Sequence, residues 1–310
     1  MHTEDGHGKK TGQPVTGRPH PLLVALATIG ALTLSVAIAF FLLIAWISSG
    51  GVEVAPLSRG PGIGVLEIEG VITDAEPALK VIRDFKRMSD IKAVVVRINS
   101  PGGAVGASQE IYQALKSLDE KKPVVASLES VAASGGYYCA IGARSIISNP
   151  GTITGSIGVI MKVPNIGPLL EKLGIKTQVL KSGTYKDLGS VTREMTESER
   201  QVVEAVLKDV HMQFMEDVSR ARSIPMEEMK GLAQGQIFSG REAKAQHLVD
   251  ELGNFDTAIE MARELAGIKG EPRLVYPEKS SLKLLRELLE EETAMGLRRI
   301  FEKVVIGYAS

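Results

Sequence analysis

The sequence contains very little histidine and almost no cysteine. Cys139 is the only cysteine among 310 residues, so the chain can form neither an internal disulfide nor a cysteine-based zinc site. Of five histidines, only His211 and His247 lie beyond residue 50. Both fall in helical patterns, as packing and surface histidines commonly do. A Ser-His-Asp triad is therefore weakly supported, and an enzyme with this sequence would need another base.

An excess of charge of either sign is also absent. Lys and Arg together number 36, Asp and Glu together 37, and the formal net charge is −1. A protein that binds nucleic acid generally shows a basic excess, so we expect no nucleic-acid partner. Hydrophobic residues make up 44% of the chain, which is ordinary for a protein with a folded core, but their distribution is uneven.

An uncharged apolar stretch runs from Leu22 to Ile47. As a helix it would extend about 39 Å, which is enough to cross a hydrocarbon core ~30 Å thick. A cleaved signal peptide is the alternative, but the apolar region of a signal peptide is only about 7–15 residues long. We therefore predict an uncleaved transmembrane anchor over residues 21–48.

Basic residues flank this anchor mainly on its N-terminal side. Lys9, Lys10 and Arg18 precede it, whereas Arg59 is the nearest basic residue behind it. By the positive-inside rule the N-terminus is cytoplasmic, and the chain after residue 50 lies outside the membrane. The sequence thus predicts a single-pass protein of the cell membrane with a periplasmic or extracellular domain.

The composition divides the chain into five segments, of which only one has the pattern of a folded domain. The predicted segments are a disordered cytoplasmic tail (1–20), the anchor (21–48), a linker (49–62), a folded domain (63–270) and an amphipathic helical extension (271–310).

Strand and helix patterns alternate within the folded domain. Strands are predicted over 64–72, 92–99, 123–128, 145–149, 153–161 and 175–181. Helices are predicted over 76–88, 104–118, 131–142, 164–173, 197–222, 225–233, 239–246 and 254–267. Such alternation predicts an α/β fold with a parallel sheet and covering helices.

The motif N-S-P-G-G at residues 99–103 lies between a predicted buried strand and a helix. Pro101 stiffens the turn, and Gly102 and Gly103 permit backbone conformations and close approaches that a Cβ atom would forbid. Amides at the start of a helix can hold a negatively charged oxygen. An ordinary strand-to-helix turn would have the same pattern.

Ser134 stands at the centre of V-A-A-S-G-G-Y-Y, residues 131–138. Serine is a favoured helix N-cap, which is the structural alternative. A capping serine does not require flanking residues as small as Ala and Gly, so these neighbours favour a substrate site. The motif is not the G-x-S-x-G of α/β-hydrolases.

Lys186 ends the turn K-S-G-T-Y-K-D at residues 181–187 and is a candidate base. A lysine can replace histidine only when it is neutral, and at an ordinary pKa of ~10.4 about 1 lysine in 2,500 is neutral at pH 7. A base lysine must therefore lie in a shielded cleft. Ser156, in T-G-S-I-G-V, could orient it. A solvated lysine and a simple turn serine remain the alternatives for these two residues.

In this order and spacing, the four motifs resemble those of the signal peptide peptidase A (SppA) family, in its short, single-copy bacterial form. The resemblance covers roughly residues 62–265. It implies a membrane-anchored Ser-Lys peptidase of the ClpP/crotonase-like fold, with repeated β-β-α units and a parallel sheet. The implied site residues are Ser134 as nucleophile, Lys186 as general base, Ser156 as the residue that orients the lysine, and Gly102, Gly103 and Gly135 as the oxyanion hole and its turn.

The resemblance further implies the substrates and the assembly. Signal-peptide remnants and other apolar peptides would be hydrolysed without a cofactor or metal, in a ring- or dome-shaped homo-oligomer. Whether the Ser-Lys dyad is completed between subunits stays open. Two other classes also stay open, a non-catalytic membrane scaffold and a crotonase-type acyl-CoA enzyme.

Overall fold

The computed structural model describes residues 30–42 and 60–277. Residues 60–277 fall in one compact unit and residues 30–42 in another. The predicted tail (1–20), most of the predicted linker (49–62) and the C-terminal extension beyond residue 277 lie outside the described residues.

Residues 30–42 are helical, and all of them are exposed. They form the middle of the predicted anchor, whose remaining residues lie outside the described ranges. Within 30–42 and 60–277, no helix has both the length and the apolar content needed to cross a bilayer. The anchor therefore stays a prediction.

Eight strands form one largely parallel sheet in the order β6-β5-β3-β2-β1-β8, with β4 pairing with β3 and with β7. Only the pairing of β5 with β6 is antiparallel in this sheet. The strands are β1 (Gly62–Glu69), β2 (Ile91–Ser100), β3 (Val124–Ala133), β4 (Ser145–Ser148), β5 (Ile153–Gly155), β6 (Ile237–Ser239), β7 (Glu251–Leu252) and β8 (Arg273–Val275).

Helices connect and cover the strands. They are α1 (Glu76–Arg87), α2 (Val105–Asp119), α3 (Gly135–Ala140), α4 (Gly167–Lys172), α5 (Glu197–Arg222), α6 (Met226–Leu232), α7 (Gly240–Ala245) and α8 (Phe255–Leu265). Parallel neighbours cannot be joined by a tight turn, so α1 and α2 provide the crossovers between β1, β2 and β3. The mixed α/β fold with a mainly parallel sheet is confirmed.

The centre of the sheet is buried on both faces. In β2, Val94, Val96 and Ile98 pack into the core on one face, together with α1 and α2. Ala93 and Val95 pack on the other face, against Ala258 and Ala262 of α8. This two-sided burial explains why β2 reads as a continuous apolar run and not as an alternating strand.

The arrangement of elements departs from the prediction in two ways. Helices and strands alternate singly from β1 to α3, and two strands follow each other directly only at β4 and β5 within the described residues, so the predicted repeat of β-β-α units is not seen there. Moreover, β8 pairs with β1 beyond residue 270, the predicted end of the domain.

Two predicted strands are wrong. The strand predicted over 153–161 ends at Gly155, because Gly155 and Ser156 both have positive φ angles, +77° and +51°, which extended chain does not tolerate. Residues 175–181 have no regular structure. Their apolar side chains are exposed, and β propensity alone cannot form a strand without a partner to complete its hydrogen bonds.

Candidate active site

Ser134 occupies a strained turn directly between β3 and α3. Its backbone has φ 51° and ψ −121°, a conformation that residues with a Cβ rarely adopt. The sharp strand-to-helix turn resembles the turn that exposes the nucleophile in α/β-hydrolases, although the G-x-S-x-G sequence is missing. Strain of this kind persists only where the surrounding structure enforces it, and it concentrates at functional sites.

Backbone bonds on both sides enforce the conformation of Ser134. Its amide donates to the carbonyl of Gly155 at 2.8 Å, and its carbonyl accepts from the amide of Tyr138 at 2.9 Å. Tyr138 is in turn anchored to α5, because its hydroxyl donates to Asp217 Oδ2 at 2.5 Å. The serine is therefore tied both to the end of β5 and to the long helix.

The glycine loop after β2 packs against the serine turn. A Cβ atom on Gly102 would lie 2.6 Å from the amide nitrogen of Gly135 and 2.9 Å from Ser134 Cβ. Gly102 also has a φ of +97°, so glycine is required there for two independent reasons. On Gly103, a Cβ would lie 2.0 Å from the carbonyl oxygen of Ile72. The predicted glycine motif is thus a site of close backbone approach.

Two backbone amides beside Ser134 have no hydrogen-bond acceptor within residues 60–277. Gly135 opens α3, where an amide has no partner within the helix. The residues on either side of Gly103 form the bridge to Ile72. The amide of Ile72 donates to the carbonyl of Gly102, and the amide of Ala104 donates to the carbonyl of Ile72, so the amide of Gly103 takes no part. Within residues 60–277 the amides of Gly103 and Gly135 donate no hydrogen bond, and a Cβ on Gly135 would lie 3.2 Å from the Gly103 nitrogen. Adjacent unpaired amides of this kind can bind an oxyanion.

Ser156 lies next to the same turn. Its amide donates to the carbonyl of Gln236 at 2.8 Å, and the residue before it, Gly155, accepts from Ser134. Its φ of 51° marks a second strained serine. The structure therefore brings Ser134, Gly102, Gly103, Gly135 and Ser156 together.

Lys186 is not joined to this group within the single chain. Its side chain is exposed, and its amide donates to the carbonyl of Gly183 at 3.2 Å. Among the described residues, its amine makes no hydrogen bond or ion pair, and none links it to Ser134 or Ser156. The roles that we predict for the site residues all stay predictions, namely those of Ser134, Lys186, Ser156, Gly102, Gly103 and Gly135.

A network of charged residues lies beside Lys186. Arg193 donates from Nη1 and Nη2 to the two carboxylate oxygens of Glu199, at 2.8 and 2.6 Å, and from Nε and Nη2 to Asp187 Oδ2, at 3.0 and 2.8 Å. Lys181 donates to the other oxygen of Asp187 at 2.5 Å. Glu199 also completes a capping box with Thr196 at the start of α5.

These partners shift the acidity of both carboxylates. Hydrogen bonds from Arg193 and then from the amide of Thr196 lower the pKa of Glu199 from 4.5 to about 2. Bonds from Lys181 and then Arg193 lower the pKa of Asp187. Our sequence analysis missed this network. The motif T-E-S-E at 196–199 has the spacing of a capping box, which would have placed Glu199 in the first turn of a helix.

The other reactive side chains do not contact the serine. Burial raises the pKa of the Cys139 thiol to about 12, so this residue packs as an apolar side chain. His211 Nε2 is buried without a partner among the described residues, and His247 is exposed. Neither histidine hydrogen-bonds to Ser134 in the part of the chain that the structure describes.

A strained serine beside two amides without an acceptor among residues 60–277 is the arrangement that the sequence predicts, and comparison with known proteins gives the family. Residues 116–269 match the model of peptidase family S49. A candidate protease of Synechocystis is 43% identical over 208 residues, which is 66% of this chain and 75% of that protein. The chain belongs to peptidase family S49, the SppA family.

Other relatives are longer proteins. The chloroplastic serine protease SPPA of Arabidopsis thaliana is 34% identical over 227 residues, which cover 72% of this chain but 34% of that protein. Protease 4 of Salmonella typhi is 34% identical over 224 residues, which cover 69% of this chain and 36% of that protein. The chain thus spans about a third of the length of these two relatives.

Gly103→Ala tests the close approach of the glycine loop. The added methyl would meet the carbonyl of Ile72, so the backbone must shift, and we expect a loss of about 1–3 kcal/mol in the free energy of unfolding. The control is Gly106→Ala at the start of α2, where a Cβ would have open space. That control should leave stability unchanged or raise it by up to ~1 kcal/mol. Urea unfolding measures both, and equal stabilities of the two variants would contradict the packing.

Glu199→Gln tests the charge network through the pH dependence of stability. The pKa of Glu199 is depressed in the folded state, so its contribution is fully present above pH 4.5 and is lost as pH falls towards 2. The free energy of unfolding of Glu199→Gln should therefore lie below that of the wild type at pH 7, and the difference should shrink below pH 4.5. Urea unfolding at several pH values measures it.

The matched control for this pH series is Glu171→Gln, which removes an exposed carboxylate without an ion pair among the described residues. Its difference from the wild type should stay near zero throughout. A gap between Glu199→Gln and the wild type that stays constant from pH 7 to pH 2 would exclude the ionic contribution.

Proposed function

We propose that this protein is a membrane-anchored serine endopeptidase with a Ser-Lys dyad, and that it hydrolyses signal-peptide remnants and other apolar peptides at the outer side of the cytoplasmic membrane. The observation that carries the proposal is the strained Ser134 with the free amides of Gly103 and Gly135 beside it. A serine-type peptidase is also what membership of family S49 supports.

The reaction is acyl transfer in two halves. Neutral Lys186 takes the proton of Ser134 as the serine Oγ bonds to the carbonyl carbon of the peptide. The amides of Gly103 and Gly135 donate to the oxygen that gains negative charge. When the intermediate collapses, the C–N bond breaks and the leaving amine takes the proton from Lys186. Water then attacks the ester, gives its proton to Lys186, and Ser134 recovers a proton on release of the acid.

The membrane anchor rests on the uncharged stretch from Leu22 to Ile47 and on the basic residues before it. An anchor would hold the site near the bilayer surface, where apolar peptides left in the membrane emerge. Two relatives bear names that agree with a role of this kind, the serine protease SPPA of Arabidopsis thaliana and an Enterococcus faecium protein named for signal peptide peptidase SppA.

The proposal includes a homo-oligomer that completes the site. A lysine that acts as a base must be shielded from water, yet Lys186 is exposed in the single chain. The chain segment around it also exposes large apolar side chains, with Leu180 at 89% and Ile160 at 77% of their accessible surface. Exposed apolar surface of this extent is typical of an interface. A second copy that covers this segment would shield Lys186 and bring it to a neighbour's Ser134.

Ser134→Ala and Lys186→Ala test the dyad. Ser134→Ala should abolish labelling by a fluorophosphonate and cleavage of an apolar peptide, because it removes the nucleophile. Lys186→Ala should abolish cleavage and reduce labelling to a small residual rate, because it removes the base. The controls are Ser89→Ala and Lys80→Ala, which remove exposed residues of the same types and should retain full activity. No labelling and no cleavage in the wild type and in both variants would favour a scaffold, and turnover of an acyl-CoA that survives both changes would favour a crotonase-type enzyme.

Mixing the two inactive variants tests the oligomer. If each site takes serine from one subunit and lysine from another, co-expressed Ser134→Ala and Lys186→Ala subunits form intact sites where the two meet. Random assembly would restore about one quarter of wild-type activity per subunit. Two differently tagged copies, purified over both tags, provide the sample. No recovery of activity in a sample that contains both subunits would place the dyad within one chain or exclude it.

A further inference from the structure

We propose that Arg193, bound by Glu199 and Asp187, is a positioning residue that fixes Lys186 at the start of α5 and leaves its amine without an anionic partner. The residues Lys181, Asp187, Arg193 and Glu199 are called the Arg193 clasp below. The inference rests on the proposed function, in which Lys186 is the base, and adds the residues that act through it.

The clasp has the geometry of a strong charge-assisted contact. Arg193 forms a two-pronged contact with Glu199, with each prong below 3 Å, and reaches Asp187 Oδ2 through Nε and through Nη2, which also donates to Glu199. Two-pronged arginine–carboxylate pairs fix orientation as well as distance. Lys186 precedes Arg193 in the chain, and α5 follows it. The contact between Arg193 and Glu199 therefore sets the position of the Lys186 loop relative to the start of α5.

Glu199 is buried in the first turn of α5, a part of the helix that contributes no buried apolar side chain to the core. Its side chain is 3% exposed, whereas the other buried residues of α5 lie from Phe214 onwards. A buried carboxylate costs desolvation energy and persists only with partners that compensate it. Since the first half of α5 packs no apolar core, the burial of Glu199 serves to hold Arg193 and the loop attached to it.

Short-range bonds transmit this position to Lys186. Asp187 is its direct neighbour, and its carbonyl accepts from the amide of Ser190 at 3.0 Å. On the other side, the amide of Lys186 itself donates to the carbonyl of Gly183. Lys181 closes the turn, because its amine donates to the carbonyl of Thr184 as well as to Asp187. The backbone of Lys186 is therefore held from both directions.

The clasp also binds the carboxylate of Asp187, which is the acidic group closest in sequence to Lys186. Asp187 Oδ1 accepts from Lys181 and Oδ2 accepts from Arg193, and among the described residues neither oxygen contacts the amine of Lys186. The four clasp residues carry two positive and two negative charges and balance each other. An unpaired carboxylate beside a lysine would stabilise the ammonium form, which cannot act as a base. The clasp thus fixes the backbone of Lys186 without placing an unpaired carboxylate beside its ammonium group.

The opposite end of α5 offers a matched comparison. There Arg222 forms a similar two-pronged contact with Asp250, at 2.9 and 2.7 Å. This pair also joins an end of the same helix to another element, but it lies away from Lys186 in the chain. Breaking it should affect folding to a similar degree and leave catalysis alone.

The experiment compares Glu199→Gln and Asp187→Asn with Asp250→Asn in the full-length protein. We expect the two clasp variants to lower kcat about 10- to 100-fold with KM within about twofold, because a displaced base slows proton transfer without weakening peptide binding. Asp250→Asn should keep the wild-type kcat. The measured reactions are cleavage of an apolar peptide and fluorophosphonate labelling of Ser134.

A double-mutant cycle shows whether the effect passes through the lysine. Glu199→Gln should slow labelling in the wild-type background and change it less than about twofold in the Lys186→Ala background, where residual labelling has no base to misplace. Equal losses in both backgrounds would overturn the proposal, because Glu199 would then act on the serine or on the fold.

The remaining outcomes separate the clasp from the dyad. Wild-type kcat in Glu199→Gln, together with an inactive Lys186→Ala, would overturn the clasp and leave the Ser-Lys peptidase in place. Full activity of Lys186→Ala would overturn both. If circular dichroism shows that Glu199→Gln does not fold, Asp187→Asn decides the matter, since it leaves the contact between Arg193 and Glu199 intact.

Discussion

The structure of the site depends on one close contact, between the glycine loop after β2 and the serine turn after β3. Gly102 lies so near to Ser134 and Gly135 that any side chain there would overlap with them, and the carbonyl of Gly155 holds the serine amide from the other side. Between these two supports Ser134 adopts a φ of 51°. The sheet makes this possible because parallel β2 and β5 flank the end of β3, so three chain turns meet at one edge.

The same contact determines the electrostatics of the site. Gly103 and Gly135 belong to two different turns. Their amides can therefore lie near each other without donating to a carbonyl of a strand or helix. Unpaired amides are costly when buried, and of these two residues Gly135 is buried whereas Gly103 is exposed. The strain at Ser134 and the two unsatisfied donors are therefore parts of one arrangement. Both are stabilised by the buried sheet and by Tyr138, which anchors α3 to Asp217.

The sequence was sufficient to predict β2 and its two buried faces, because an apolar run between turn residues has one simple interpretation. It also predicted the close backbone approach at Gly102 and Gly103, because glycines at the end of a strand indicate close packing. It failed where structure depends on partners distant in the chain. Residues 175–181 have the composition of a strand but no neighbour to pair with, and β8 joins the sheet only through β1. The Arg193 clasp was missed for a different reason, because its pairs are only six residues apart but charged residues in a loop are interpreted as solvated until their partners are known.

Ser134 and Lys186 differ in how many of their structural supports lie within one chain. Everything that strains and supports Ser134 is buried within the domain, whereas Lys186 is held only through its backbone and through Asp187. Its side chain is exposed, and large apolar side chains of residues 160–180 are exposed as well. In the proposed assembly, one copy of the chain packed over residues 160–180 would cover these side chains and shield Lys186. Under that proposal, assembly, and not folding, is the step that allows the ordered lysine to act as a base.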